Sequence, residues 1–368
     1  MRPASSSAAR GPLRGLRVVE FAAIGPGPFA AMLLSDMGAD VVRIDRPRAG
    51  ARPYFDVVSR GRRVVEIDLR ATGGAAQALR LLKHADALIE GFRPGVMERL
   101  GLAPEVVAER NSKLVYGRMT GWGQDGPLAK SAGHDIDYIA LSGVLATFGP
   151  RGAPPLPPQN LVGDYGGGSL YLVMGMLAAL LEARASGRGQ VVDAAIVDGS
   201  ASLLALYAGR LVKGDWHAER GVNMLDGAPH YYRCYETADG RYMAVGAIEP
   251  QFYALLLERL GIPPDTMPQQ DRARWPEFSE VLATRFRRAT QSEWQHRFEG
   301  TDACVCAVLP LHEAARHPHL AHRESFTTVE GVLQPNAAPR FSRSGQAVQG
   351  PPPVAATELE TILAGWST

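Results

Sequence analysis

Two short segments carry the residue types that proton transfer requires. Residues 133–138 read Gly-His-Asp-Ile-Asp-Tyr, and residues 163–169 read Gly-Asp-Tyr-Gly-Gly-Gly-Ser. His134 changes its charge near neutral pH and Asp164 supplies a carboxylate, so the two could act as general acid and base. Each residue taken alone also suits a plainer role as a helix cap.

The glycines after Asp164 indicate a close approach to the backbone. We expect Asp164 to be the N-cap of a long apolar helix over about residues 165–185. Glycines 166–168 would each cost on the order of 1 kcal/mol against alanine in such a helix. The free N–H groups at or just after Asp164 could then stabilise an oxyanion.

A third carboxylate ends a predicted strand. Glu249 follows the apolar residues 245–248 and precedes Pro250, where helix signals begin. Helix capping is the ordinary role of an acidic residue at such a point, and the sequence by itself favours that interpretation.

Residues 25–30 match a dinucleotide-binding pattern, G-x-G-x-x-A, between a predicted strand and a predicted helix. Asp45 follows about 18 residues later, as that pattern requires. However, Pro26 and Pro28 lack the N–H groups that a pyrophosphate would need. Arg43 and Arg46 also flank Asp45, so a nicotinamide nucleotide is only a minor alternative.

The histidines near residue 312 resemble a zinc motif without completing it. Residues 312–317 read His-Glu-Ala-Ala-Arg-His, so Arg316 stands where the second histidine of H-E-x-x-H would be. Pro318 is expected to begin a new short helix within the group His317, His319 and His322. We therefore expect surface histidines and no metal site.

The elements that must position these residues alternate between strands and helices. The predicted strands lie at residues 16–22, 39–44, 87–90, 114–120 and 191–196. The alternation predicts an α/β fold with a parallel sheet and right-handed crossovers. Near residue 215 the pattern changes to a hairpin around Asp239-Gly240 followed by helices, which predicts a smaller α+β domain.

The composition is that of an ordinary globular protein. The chain has 368 residues, a net charge of +1 and 46% hydrophobic residues, and its length predicts about two domains. The balanced charge argues against nucleic acid or a membrane surface as a partner. The longest apolar run, residues 169–183, is too short to span a bilayer and predicts a buried helix.

The cysteines and the first ten residues indicate where in the cell the protein is located. Cys234, Cys304 and Cys306 form no even disulfide framework, and residues 1–10 lack the apolar core of a secretory signal. We therefore expect a cytoplasmic location.

The basic residues are almost entirely arginine. Lys83, Lys113, Lys130 and Lys213 are the only lysines among 39 basic residues. Codon bias explains most of the arginines, but the planar guanidinium also binds phosphate in a bidentate manner. A few of them could therefore hold an anionic ligand.

Together, these segments resemble the family III CoA-transferases. The resemblance extends from Leu13 over nearly the whole chain. Besides the His134 and Asp164 segments, the matching stretches are residues 16–20, 25–28, 38–47, 90–96, 118–124, 189–195 and 246–250. The resemblance implies a Rossmann-like large domain with a parallel sheet that binds CoA, a smaller α+β domain, and an interlocked homodimer. The active site would lie between one subunit's large domain and its partner's small domain.

The implied large domain is discontinuous. We place its first part at residues 12–215, the small domain at 233–320, and a C-terminal segment that returns to the large domain at 325–368.

Within the family, the resemblance is to members that racemise 2-methylacyl-CoA thioesters in lipid metabolism. Residues 133–135, Gly-His-Asp, are characteristic of these members, and residues 221–227 lack the glycine run of formyl-CoA-type transferases. The resemblance implies a 1,1-proton transfer through an enolate between the (R) and (S) thioesters. His134 would serve one face and Asp164 the other, with Glu249 of a partner subunit orienting His134. The alternative is CoA transfer between carboxylic acids through a covalent intermediate on Asp164.

The resemblance also assigns contacts with the CoA and acyl portions of the substrate. The residues are Arg46, Ile67, Asp68, Leu69, Arg70, Gly91, Phe92, Arg93, Arg99, Gly133, Asp135, Ile136, Asp137 and Tyr138. No separate cofactor is expected, because CoA is part of the substrate.

Overall fold

The computed structural model describes residues 10–367 and divides into two compact units. The first unit comprises the chain up to Ser142, Pro158–Leu203 and the chain from Ala315 onward. The second unit comprises Gly143–Pro157 and Leu204–Ala314. Residues 1–9, where the sequence predicts no secretory signal, and Thr368 lie outside the described residues.

A parallel sheet organises the first unit. Its strands are β1 (Arg17–Phe21), β2 (Asp40–Asp45), β3 (Arg63–Glu66), β4 (Ala87–Glu90), β5 (Val115–Thr120) and β6 (Val191–Ala195). Their order across the sheet is β3-β2-β1-β4-β5-β6, and every neighbouring pair is parallel. The α/β prediction is confirmed. Only β3 was not predicted, because its four residues include just two apolar ones between an arginine and a glutamate.

Helices cover both faces of this sheet. They are α1 (Pro26–Asp36), α2 (Gly74–Leu82), α3 (Val96–Arg99), α4 (Pro104–Arg110), α5 (Asp135–Leu141), α6 (Leu170–Ser186) and α7 (Ile196–Ser202). α6 packs on β5 and β6 and ends at Gly187, whose φ of +76° suits glycine. Leu172 and Met176 of α6 are fully buried, so the prediction of a buried helix is confirmed.

The helical stretch that contains α6 also meets the simplest criteria for a membrane span. Among the described residues, Leu161–Ser186 is the one helix long and apolar enough to cross a bilayer. Half of its most apolar window is buried inside the protein, as expected for a helix of a folded core.

The second unit combines helices with a small antiparallel sheet. Its elements are α8 (Ala205–Lys213), β7 (Tyr232–Glu236), β8 (Tyr242–Gly246), α9 (Pro250–Leu260), α10 (Trp275–Phe286), α11 (Gln291–Phe298), β9 (Val305–Ala307) and α12 (Leu311–Ala314). The predicted hairpin is confirmed, with Gly240 at a φ of +71° between β7 and β8. Aromatic residues such as Phe278 and Phe286 fill its core.

The C-terminal segment completes the first unit. It contains α13 (Pro318–His322), β10 (Phe326–Val329), β11 (Val332–Pro335) and α14 (Leu359–Trp366). Trp366 is 2% exposed, packs with the sheet core, and donates its indole N–H to Asp40 Oδ2 at 2.8 Å. The last helix therefore contributes to the core built by the first hundred residues.

The division between the units lies earlier than the predicted boundary at residue 215. The helix α8 belongs to the second unit, where Tyr207 packs on Trp216 with ring centroids 4.5 Å apart. Residues 143–157 belong to the same unit, since a Cβ atom on Gly143 would lie 3.5 Å from Leu204.

One ion pair, between a residue of β1 and the residue before β3, is completely buried. The side chains of Glu20 in β1 and Arg62 are both 0% exposed, and Arg62 Nη1 binds Glu20 Oε2. Arg62 Nη2 also donates to Pro28 O in α1 at 3.1 Å. Because neither charge can reach water, each depends on its partner.

Replacing Arg62 by methionine should destabilise the first unit, since Glu20 would remain as an unpaired buried charge. We expect the free energy of unfolding to fall by about 3–5 kcal/mol, measured by urea denaturation. Arg80→Met is the control, because Arg80 and Glu360 form an exposed pair whose loss should have little effect. Equal losses in the two variants would contradict this account.

Candidate active site

A cleft lies along the carboxyl ends of the parallel strands. One chamber, of about 520 Å³, is lined by residues that follow β1, β4 and β5 together with His134 and Asp164. A second chamber, of about 480 Å³, is lined by residues that follow β1, β2, β3 and β4. Gly91, Phe92 and Arg93 line both chambers and join them. The chambers meet between β1 and β4, where the strand order reverses and α/β folds bind ligands.

His134 heads helix α5 at the edge of the first chamber. It is the N-cap residue, and its backbone N–H donates to Asp137 Oδ2 at 2.9 Å. Its side chain is exposed. The prediction that this histidine starts a helix is confirmed, and the same position directs it into the cleft.

Aromatic rings fix the segment before His134. The Tyr138 hydroxyl donates to Gly133 O, and the Tyr138 ring meets Trp122 edge-on at 4.8 Å between centroids. A Cβ atom on Gly121 would lie 2.0 Å from Tyr138 Cζ, so only glycine leaves room for the ring. Gly133 is likewise required, because its Cβ atom would lie 2.8 Å from Tyr138 Cε1.

Asp164 lies inside a helix rather than at its start. The chain forms a π-helix over Leu161–Ser169, which continues directly as α6. The predicted N-cap role of Asp164 is therefore wrong, because the helix begins one turn earlier, after Asn160. The Asp164 carboxylate faces the first chamber, and a Cβ atom on Gly25 would lie 3.0 Å from its Oδ2.

The expected oxyanion donors at Asp164 are already occupied. The Asp164 N–H donates to Asp135 Oδ1 at 2.7 Å, and the Tyr165 N–H donates to Asn160 O at 3.2 Å. This corrects the expectation that an N–H at or just after Asp164 is free for substrate. The bond from Asp164 also joins the two candidate catalytic segments directly.

The glycines after Asp164 predicted a close approach to the backbone. The structure shows such an approach, and it is made by helix α7. A Cβ atom on Gly167 would lie 2.5 Å from Ser200 Oγ in α7. A Cβ atom on Gly199 would lie 1.9 Å from Gly167 O. The backbones of the π-helix and α7 are therefore in direct contact, and side chains at either position would force them apart.

Two carboxylates near the first chamber have perturbed acidity. Burial raises the pKa of Asp164, the charge of Asp135 raises it further, and Asn160 and His134 oppose the rise. Burial also raises the pKa of Asp135, although the N–H groups of Asp164 and Gly163 stabilise its charged form. Asp164 is thus more easily protonated than an ordinary aspartate, as a group that both donates and accepts a proton requires.

The second chamber gathers most of the residues assigned to CoA. They are Arg46, Ile67, Asp68, Leu69, Arg70, Gly91, Phe92 and Arg93. Arg99 lies at the end of α3, where a Cβ atom on Gly95 would be 3.2 Å from its Nη1, and it does not line either chamber. The assignment of these residues to CoA, including that of Arg99, stays a prediction.

The three arginines that line this chamber have no acidic partners among the described residues. Within residues 10–367, the guanidinium groups of Arg46, Arg70 and Arg93 form no ion pair and no hydrogen bond. Arg43 instead binds Ser59 Oγ at 3.1 Å and lies 3.8 Å from Asp45 Oδ2. Cations left without a carboxylate beside a cleft are suited to an anionic ligand such as a phosphate.

The residues of the GHDIDY segment do not all face the cleft. Gly133, His134, Asp135 and Tyr138 line the first chamber. Asp137 instead caps α5, and Ile136 is 45% exposed without lining either chamber.

Glu249 heads α9 in the second unit. It is the N-cap residue, yet its side chain makes no capping hydrogen bond and is exposed. Its charge raises the pKa of the neighbouring Cys304 thiol, although burial of that thiol is the larger cause. Glu249 therefore occupies the N-cap position, but the predicted capping by its side chain is not observed, and the carboxylate is left available to another group.

Sequence reasoning assigned no role to several cleft residues. Ile24, Met119 and Trp122 line the first chamber, and Asn160 Nδ2 lies 3.5 Å from Asp164 Oδ2. Ile24 follows β1 and Trp122 follows β5, and this position after a strand is the signal that could have identified both residues. Asn160 has no such signal, because the π-helix that places it four residues before Asp164 was not predicted.

Among the histidines near residue 312, the side chain of His317 caps a helix. Pro318 begins α13, as predicted, and His317 Nδ1 accepts the His319 N–H at 3.3 Å at its start. No group of three or more metal-binding side chains is close enough to hold an ion anywhere in residues 10–367.

Comparisons with known proteins agree with this geometry. A model of CoA-transferase family III matches residues 13–357. The chain is 47% identical to the α-methylacyl-CoA racemase of Mus musculus, over 90% of this chain and 87% of that protein. It is 46% identical to the α-methylacyl-CoA racemase of Homo sapiens, over 89% of this chain and 86% of that protein.

A solved structure supports the fold separately. The CAIB/BAIF family protein from Brucella suis superposes with a TM-score of 0.84 at 24% identity. The match covers 97% of this chain and 100% of that chain. With a family match over most of its length, relatives of this similarity and a cleft at the expected edge of the sheet, the chain belongs to CoA-transferase family III.

Proposed function

We propose that this protein is an α-methylacyl-CoA racemase, which interconverts the (R) and (S) forms of 2-methylacyl-CoA thioesters. The observation that carries the proposal is that His134 and Asp164 line one chamber, which continues into a second chamber with unpaired arginines. The names of the mouse and human relatives support the same reaction. CoA is part of the substrate, so the reaction needs no separate cofactor.

The two catalytic groups share one proton. For one enantiomer, neutral His134 removes the α-proton while protonated Asp164 delivers its proton to the opposite face of the enolate. For the other enantiomer, the Asp164 carboxylate removes the proton and charged His134 delivers it. The raised pKa of Asp164 favours this exchange, because it brings the acidity of the carboxyl closer to that of an imidazole.

The enolate oxygen requires donors other than those first expected. The N–H groups of Asp164 and Tyr165 are occupied within the protein, so other donors must stabilise this oxygen.

His134→Gln and Asp164→Asn should each slow racemisation by about 10²–10⁴-fold, since each removes one proton-transfer group. The measurement is α-deuteration and inversion of single enantiomers of 2-methylacyl-CoAs in D₂O. His84→Gln is the control, because His84 lies at the amino ends of the strands, outside both chambers.

Full inversion by either catalytic variant would contradict the two-base mechanism. An acyl or CoA adduct on Asp164, detected by mass spectrometry, would instead support the alternative function, CoA transfer between carboxylic acids.

Asp135→Asn should shift the acid limb of the pH profile of kcat/KM to lower pH. Asp135 raises the pKa of Asp164 through its charge, so asparagine removes that repulsion while keeping an oxygen for the Asp164 N–H. With a lower pKa, Asp164 loses its proton at lower pH. The active form, in which the two groups hold one proton between them, is therefore populated at lower pH. Asp86→Asn is the control, because Asp86 also accepts a backbone N–H, from Arg17 at 2.8 Å, and lines neither chamber. An acid limb unmoved in Asp135→Asn would refute the coupling.

Arg93→Gln should raise KM for acyl-CoA by about 10- to 100-fold with little change in kcat. The reason is that a charge-assisted bond to a phosphate is lost equally in the ground and transition states. Arg63→Gln is the matched control, because Arg63 is already paired with Asp40 at 2.6 Å. A fall in kcat at constant KM would place Arg93 at the reacting centre instead.

The proposal includes a homodimer in the cytoplasm, in which Glu249 of a second copy orients His134. Its support is the exposed Glu249 carboxylate, which makes no capping hydrogen bond, and the implied family architecture. A carboxylate beside His134 would stabilise the imidazolium that forms during the reaction.

A further inference from the structure

Two buried hydroxyl groups bind the backbone at the catalytic segments. The Tyr138 hydroxyl donates to Gly133 O, directly before His134. The Ser169 hydroxyl donates to Pro26 O at 2.7 Å and lies 3.1 Å from Asp164 O. We propose that Tyr138 is a positioning residue for His134 and Ser169 a positioning residue for Asp164, an inference that rests on the proposed racemase function.

The Tyr138 ring cannot move away from its partner. Trp122 packs against it edge-on, and Gly121 lies so close that a Cβ atom there would be 2.0 Å from the ring. The hydroxyl is therefore held against the Gly133 carbonyl. Since His134 itself is exposed, the orientation of its side chain depends on this restraint and on the Asp137 cap that follows.

Ser169 holds the other catalytic segment. Its side chain is 0% exposed, and its proton is shared between two carbonyls, one in the π-helix and one at the start of α1. The residue before Pro26 is Gly25, the glycine against which the Asp164 carboxylate packs. The hydroxyl thus ties the backbone of Asp164 to the element that its side chain contacts.

The two hydroxyl groups position different bases, and each base deprotonates a different enantiomer. In a two-base reaction, each group removes the α-proton from only one enantiomer. The overall equilibrium fixes the ratio of the two net inversion rates, whatever the variant. It does not fix the ratio of the initial α-exchange rates, measured on each enantiomer separately. Loosening one base therefore slows exchange chiefly from the enantiomer that this base deprotonates.

The experiment compares Tyr138→Phe and Ser169→Ala, each of which removes one hydroxyl. Initial α-deuteration of (R)- and (S)-2-methylacyl-CoA is measured separately in D₂O, and the ratio of the rates is calculated for each variant. Tyr116→Phe is the control for the first variant, since Tyr116 makes a similar bond to Leu102 O at 2.8 Å away from the cleft. Ser200→Ala is the control for the second, because Ser200 Oγ is buried and unpaired among the described residues.

We expect the ratio of exchange rates to shift about fivefold, in opposite directions in the two variants, as for the loss of one neutral hydrogen bond. KM should stay within about twofold, because neither hydroxyl lies in the second chamber. The controls should keep the wild-type ratio. Ser169→Cys, which retains the size and a weak donor, should recover part of the change and replaces Ser169→Ala if that variant does not fold.

A ratio that is unchanged, or that shifts in the same direction in both variants, would overturn the inference while the racemase function stands. If the wild-type protein exchanges no α-proton from any 2-methylacyl-CoA, the proposed function fails and the inference fails with it.

Discussion

The hydrogen bond from the Asp164 N–H to the Asp135 carboxylate, at 2.7 Å, constrains much of the active site. It joins a helix start to the middle of a π-helix, two segments separated by 29 residues. Gly163 must lack a side chain to permit it, because a Cβ atom there would lie 2.3 Å from Asp135 Oδ1. The same carboxylate then acts electrostatically on Asp164, so one contact sets both the geometry and the acidity of the site.

The π-helix is what allows Asp164 to occupy this position. A widened helical turn offsets the chain relative to a regular α-helix, and such turns are frequent at functional sites. It is stabilised from behind by α7, whose Gly199 contacts the backbone of Gly167 directly. Three successive glycines are unfavourable for a helix by themselves, so tertiary packing must compensate for their propensity.

The sequence predicted the architecture well and the local geometry less well. Alternating apolar strands and helices identified five of the strands in the parallel sheet, since buried strands carry a strong pattern; β3, with only Val64 and Val65 between charges, does not. His134 at a helix start was predictable from the glycine before it. The widened turn at Asp164 was not, because an aspartate before an apolar run has the same sequence signal as an N-cap.

The arginines illustrate the same difference. Their number in the sequence does not indicate how many can bind a ligand. Arg62 forms a fully buried ion pair, and Arg43 contacts Ser59 and Asp45. Arg46 and Arg93 have no acidic partner among the described residues, and they also line the cleft. Most other arginines within residues 10–367 form no ion pair either, so position beside the cleft together with the lack of a partner distinguishes the arginines available for a ligand.

The exposure of the two catalytic groups differs, and this has a consequence for successive turnovers. In the proposed two-base reaction, each conversion leaves the shared proton on the group opposite to the one that held it at the start. The protonation state of the free protein therefore depends on which enantiomer it converted last. The protein must return that proton before accepting the same enantiomer again. This return exchanges one proton with water at each of the two groups. Because Asp164 is half-buried while His134 is exposed in the single chain, the exchange at the carboxylate is the more hindered of the two.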